Sequence, residues 1–150
     1  MPANVVLETA LPDLKLMSRG KVRDIYDIDD QHMLIVTTAR LSAFDVIIPD
    51  PIPGKGIVLN EVSEFWFKKL AHLIPNQLSD ITLDQVLNNP ADCQGLEKRG
   101  IVVKMLKPLP IEAIVRGYLI GSGWKDYQKS GQVCGIQLPN GLQQASQLPE

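Results

Sequence analysis

Apolar and polar positions alternate along the first third of the chain, then change period. Leu14 to Ser18 predicts a strand start that Arg19-Gly20 breaks. Lys21 to Ile28 alternates again, with Val22, Ile25 or Tyr26, and Ile28 marking the buried face. Asp29-Asp30-Gln31 is a turn, and His32 to Thr38 is a strongly apolar strand. Strand, glycine turn, strand, turn, strand spells an antiparallel meander. Arg40 to Asp45 reads as a loop that can bind a ligand, or whose Ser42 and Asp45 form a purely local turn, and Val46-Ile47-Ile48 predicts a further short strand. The prolines and glycines of residues 49–56 predict an exposed loop, since proline fixes φ and removes a donor.

From about Leu59 to Leu73 the period becomes helical. Val58, Val62, Phe65, Trp66, Leu70, Leu73 and Ile74 follow the i, i+3, i+4, i+7 template, which places them on a core-facing stripe. Pro75-Asn76 ends the helix. The aromatic run Phe65-Trp66-Phe67 reads as core packing. Residues 76–100 are cut up by Asn, Asp, Pro and Gly, with a short strand near Ile81, a brief helix near Asp84–Leu87 and a turn at Asn88-Asn89-Pro90. Residues 96–100 read as a surface turn.

Ile101 to Leu106 predicts a near-continuous apolar strand carrying one lysine, Lys104. Either that lysine snorkels out at a sheet edge or it reaches a ligand or a carboxylate. The stiff link Lys107-Pro108-Leu109-Pro110 leaves backbone groups outside any ladder, free to hydrogen-bond a planar base. Pro110 to Val115 predicts another strand, followed by Arg116, a Gly-x-x-x-Gly-Ser-Gly turn and a helix from Trp124 that Gly131 closes. Residues 5–10 suggest a short helix or an arm, and the Gln-rich tail contains the turn signal Pro139-Asn140-Gly141.

Composition narrows the class. The chain has 150 residues, 45% apolar and 21% charged, which describes a globular domain with a real core. Its formal net charge of −2 gives no overall pull toward nucleic acid or an anionic membrane. Any anion must therefore be held by local cations such as Arg19, Lys21, Arg23 and Arg116. The two cysteines, Cys93 and Cys134, form neither a CxxC pair nor a cluster with histidines, so they read as free thiols. No leader pattern and no run of about 18 apolar residues is present, and the expected location is cytoplasmic.

Two stretches carry candidate phosphate chemistry. Ser18-Arg19-Gly20-Lys21-Val22-Arg23 is a glycine turn ringed by cations, in the way a strand–loop–strand covers ATP phosphates. The alternative is a solvated hairpin with surface charges. At the second stretch, Arg116 offers a bidentate fork beside Ser122 and the free N–H groups of a helix start. The alternative there is an ordinary arginine on the rim of a strand–turn–helix.

Four blocks then agree in order. Gly20-Lys21-Val22-Arg23-Asp24-Ile25-Tyr26, Arg40-Leu41-Ser42-Ala43-Phe44-Asp45-Val46-Ile47, Ser63-Glu64-Phe65-Trp66-Phe67 and Pro110-Ile111-Glu112-Ala113-Ile114-Val115-Arg116-Gly117-Tyr118 together resemble the SAICAR synthetase family of purine biosynthesis. The resemblance implies an α+β fold: an antiparallel sheet with a packed helix, in a kinase-like or ATP-grasp-like nucleotide-binding domain. It sets that domain at residues 1–108 and the start of a substrate-binding second domain at 109–150. It also implies an ATP- and Mg²⁺-dependent ligase acting on small molecules. L-Aspartate is joined to carboxyaminoimidazole ribonucleotide through an acyl phosphate. Gly20, Lys21, Arg23, Lys104, Met105, Leu106 and Glu112 match ATP-binding positions, and Ser42, Asp45, Arg116 and Ser122 match substrate-binding ones. No catalytic residue or metal ligand is assigned.

The chain departs from that pattern in three places. Ala39 stands where the family often has Asp, removing a carboxylate, and Ile120 stands where it has a small residue. The family's Asp-x-Lys-x-Glu motif, which falls in its second half, is not found. The expectation is an N-terminal portion of such a synthetase. The alternative is a non-catalytic nucleotide-binding module derived from the same fold.

Overall fold

The structure, a computed structural model, describes residues 5–148. In chain order the elements are β1 (Lys15–Arg19), β2 (Arg23–Asp29), β3 (His32–Thr37), β4 (Leu41–Ala43), β5 (Val46–Ile48), α1 (Lys55–Leu70), α2 (Leu83–Val86), α3 (Pro90–Leu96), β6 (Gly100–Lys104), α4 (Gly121–Ser130), β7 (Gln132–Val133) and β8 (Ile136–Gln137). They fall into two compact units, Met1–Lys107 and Pro108–Glu150.

The first unit is built on a four-stranded antiparallel sheet in the order β1-β2-β3-β6. The expected meander supplies its first three strands, and β6 closes the other edge against β3. Strand alternation gives the sheet two faces. Tyr26, Leu34, Val36 and Val102 share one face and form the core with Leu11, Leu87 and Leu96, under α2 and α3. Burying these side chains contributes about 1.5–3 kcal/mol each. Helix α3 is an addition to the sequence reading. Asn89, expected as part of a turn, accepts a hydrogen bond from the Ala91 N–H and so caps it, with Pro90 in the first turn. Leu96 and Arg99, expected on the surface, are buried.

The other face receives α1, and here the pattern misleads. The helix begins at Lys55, four residues before Leu59. Its buried positions are Gly56 and Asn60, whereas Val58, Val62, Phe65, Trp66 and Leu70 are exposed. Closeness, not hydrophobicity, selects the buried face. A Cβ on Gly56 would fall inside the contact distance of the Thr37 carbonyl oxygen, so only glycine lets the helix start settle on the end of β3. The exposed aromatics pack on each other instead. Phe65 and Trp66 meet edge to face at 5.4 Å, with Lys69 Nζ 5.5 and 4.9 Å from their ring centres.

In the second unit, residues 110–115 are not a strand. Their β-branched residues find no neighbour to pair with among the described residues, and a strand without a ladder does not hold. Pairing begins only at Tyr118, which bridges to Gln147. Helix α4 starts at Gly121, three residues before Trp124, and ends where Gly131 takes the left-handed conformation and donates its N–H to the Tyr127 carbonyl.

Candidate functional site

The glycine hairpin between β1 and β2 is anchored from beneath. Arg40, expected in a binding loop, is 5% exposed and points under the turn. Its guanidinium donates to the carbonyls of Gly20 (2.8 Å), Lys21 (3.2 Å) and Arg23 (3.1 Å), and to that of Leu7. It also reaches Asp24 Oδ1 at 2.8 Å. Asp24 is fully buried and takes two further bonds from Thr9, through its N–H and its hydroxyl, both 2.8 Å. Burial alone would push the Asp24 carboxyl up, but the Arg40 and Thr9 hydrogen bonds outweigh it and hold it below the usual carboxylate range. Arg19 completes the cluster, bonding Asp24 (3.3 Å), Glu8 (2.9 Å) and the Thr9 carbonyl (2.6 Å). Ala39 is fully buried beside it, a place where a carboxylate would be costly.

The tip of the hairpin is open. Lys21 Nζ meets Asp45 Oδ1 at 2.6 Å, so the structure brings together one predicted nucleotide residue and one predicted substrate residue. Residues 41–48, expected as a loop and a strand, are a β4–β5 hairpin in which Ser42 pairs with Ile47. Phe44 and Asp45 turn it with both φ values positive, 49° and 65°. That is the backbone of a two-residue primed turn, which favours Asn-Gly over the bulky Phe found here.

Arg23 lines a cavity of about 230 Å³ between the sheet and α1. Ile35, Ile101 and Phe67 give it apolar walls, and Asn60, Ser63 and Gln77 give it polar ones. Lys55, which opens α1, is half-buried, and its ammonium is lowered from the usual lysine range by burial and by Arg23. At the sheet edge, Lys104 is exposed, its Nζ 3.5 Å from the Asn76 carbonyl. The Lys104 and Met105 amides donate to the carbonyls of Gln77 (2.8 Å) and Gln31 (2.6 Å). A ligand at this edge would therefore use carbonyl oxygens or a later amide such as that of Leu106.

In the second unit, Glu112, Arg116 and Ser122 line one cavity of about 300 Å³, with Asp126, Leu119 and Val133. Arg116 Nη1 donates to the Ile120 carbonyl at 2.6 Å. A Cβ on Gly121 would lie 2.5 Å from that nitrogen, and its φ is +60°, so glycine is required there twice over. Leu119 is tied to 145–146 by two backbone hydrogen bonds, which fixes the segment that follows Arg116. Glu112, grouped by resemblance with the nucleotide positions, lines the same cavity as the predicted substrate positions.

Among the described residues no group of three His, Cys, Asp or Glu side chains is placed to hold a metal ion, and no helix is long and apolar enough to cross a membrane. The residues that the sequence reading left without a role are Asp24, Thr9 and Lys55. Asp24 breaks the apolar alternation of its strand and was the one available signal. Nothing local marks Thr9 or Lys55.

A family model described as SAICAR synthetase matches residues 16–150. The phosphoribosylaminoimidazole-succinocarboxamide synthase of Thioalkalivibrio sulfidiphilus is 63% identical over 145 residues, covering 97% of this chain and 49% of that protein. The synthase of the same name from Nitrosomonas europaea is 55% identical over 150 residues, covering 100% and 50%. A solved SAICAR synthase superposes with a TM-score of 0.88 at 43% identity, over 97% of this chain and 52% of that one. A Saccharomyces cerevisiae SAICAR synthase, solved in complex with SAICAR, gives 0.84 at 44% identity, over 97% and 50%. The chain spans about half the length of the curated relatives it matches.

Proposed function

The chain belongs to the SAICAR synthetase family, and from that premise we propose that it carries the nucleotide side and part of the ribonucleotide side of an ATP-dependent ligase. The reaction joins L-aspartate to carboxyaminoimidazole ribonucleotide, giving SAICAR, ADP and phosphate. A carboxylate is a poor acyl donor. Transfer of the terminal phosphate to it makes an acyl phosphate, which the aspartate amine displaces, releasing phosphate.

The observation that carries this reading is the hairpin with its cavity. The Arg40 strut presents the turn at Gly20, and Arg23 leads from that turn into a space with apolar walls. A flat base suits the walls, and a phosphate chain suits the cation. Arg116 and Ser122 form the second half of the proposal, as donors to the ribonucleotide phosphate, with Glu112 on the same cavity. Magnesium, when bound, would supply positive charge against the transferring phosphate. Among the described residues no group of three His, Cys, Asp or Glu side chains is placed to hold it.

Calorimetry on the full chain tests both halves. Arg116→Ala should weaken the ribonucleotide about tenfold or more and leave ATP unchanged. Equal losses for the two ligands would overturn the assignment.

A further inference from the structure

Five cations gather around the β1–β2 hairpin, and three of them are neutralised. Arg19 pairs with Glu8 and Asp24, Arg40 with Asp24, and Lys21 with Asp45. Arg23 and Lys55 have no carboxylate partner among the described residues. The fold sets them at one end of the sheet. Arg23 stands opposite Thr37 in the β2–β3 ladder, and Gly56 is seated on the Thr37 and Thr38 carbonyls. Lys55, the residue before Gly56, is thus held against the end of the sheet that carries Arg23, and besides its burial the Arg23 charge lowers its ammonium. Two like charges at a partly dry site repel, and an anion with several oxygens relieves both.

We propose that Lys55 is a phosphate-binding residue, acting with Arg23 on the terminal phosphates of a nucleoside triphosphate. The proposal rests on the nucleotide reading of the hairpin and adds a contact that no block of the sequence pointed to. The two side chains divide the task by chemistry. The Arg23 fork grips two oxygens in a plane, while the Lys55 ammonium acts as a point charge on a four-carbon stem. Asn60 lies on the next turn of α1 and lines the cavity that Arg23 also lines.

The test is a titration of the full chain with ATP, adenosine and inorganic tripolyphosphate, as wild type, Lys55→Met and Lys55→Arg. Lys55→Met should weaken ATP and tripolyphosphate about tenfold or more and leave adenosine and the melting temperature unchanged, and Lys55→Arg should recover most of the loss. Unchanged ATP affinity in Lys55→Met overturns the role of Lys55 and leaves the hairpin reading standing. Loss of adenosine binding along with ATP also overturns it, since the lysine would then be supporting the fold. Lys55-dependent tripolyphosphate binding without any affinity for ATP or adenosine keeps the anion site and removes the nucleotide. Failure of the wild type to bind any of the three overturns both.

Discussion

The root and the tip of one hairpin use the same chemistry to opposite ends. At the root, Arg40 meets Asp24 at 2.8 Å with side-chain exposures of 6% and 0%. At the tip, Lys21 meets Asp45 at 2.6 Å with exposures of 54% and 88%. The tip pair is the shorter of the two and the weaker. Water screens it, and two long side chains lose freedom to form it. The root pair lies where desolvation is severe, so it holds only because Thr9, Arg19 and four backbone carbonyls satisfy the remaining donors and acceptors. One pair therefore sets the shape of the turn, and the other stays free to exchange its partner for a ligand.

Breaking the root should have the largest effect. Arg40→Met leaves the Asp24 carboxylate buried beside four carbonyls that have lost the guanidinium. A loss of about 3–5 kcal/mol in unfolding free energy is expected from urea titration, and a loss below about 1 kcal/mol would contradict the strut. Acid probes the same cluster. The Asp24 carboxyl is depressed in the folded protein, so its contribution is fully present above the unfolded value of about 3.9 and is lost as the pH falls through the lower folded value. Melting temperature should fall below about pH 4, and Asp24→Asn should flatten that limb from a lower starting point.

Next in size is the seat of α1. Gly56→Ala drives a methyl group into the Thr37 carbonyl and should cost about 1–3 kcal/mol while shifting Lys55 away from Arg23. Gly95, inside α3 with nothing within 4 Å of its Cβ direction, is the control. Gly95→Ala should stabilise by about 0.5–1 kcal/mol. Equal melting shifts for the two substitutions would show that the close approach at Thr37 does not position the helix.

The same contrast explains what could be read in the sequence. Alternation makes the meander legible because β2 and β3 each have one face on the core, and period 2 is the direct trace of that burial; β1 is exposed along its length and is held by its ladder to β2. The pattern on α1 misleads because its apolar stripe does not face the sheet. Gly56 and Asn60 took that place, and neither scores as apolar. The β-branched run at 110–115 is no strand because propensity needs a paired neighbour, and among the described residues no strand pairs with it. Arg116 and Ser122 were legible as a cation beside a turn. Arg40 was read as a loop residue, since nothing in one sequence shows that its partners lie on Gly20, Lys21 and Arg23. Lys55 is hidden for a related reason: its proposed role depends on a contact between α1 and the sheet, where no carboxylate pairs with it among the described residues.

The smallest effect on stability should come from the tip. Lys21→Met removes an ion pair that water already screens, so the unfolding free energy should change by less than about 0.5 kcal/mol, and added salt should erase even that. Ligand binding separates Lys21 from the root. If the open tip exchanges Asp45 for phosphate, Lys21→Met weakens ATP while Asp45→Asn, which frees the lysine, strengthens it. ATP affinities that move together in these two variants would mean that the pair acts as a unit bracing the β4–β5 turn. The tip would then be a second strut, and the division of labour within the hairpin would fail.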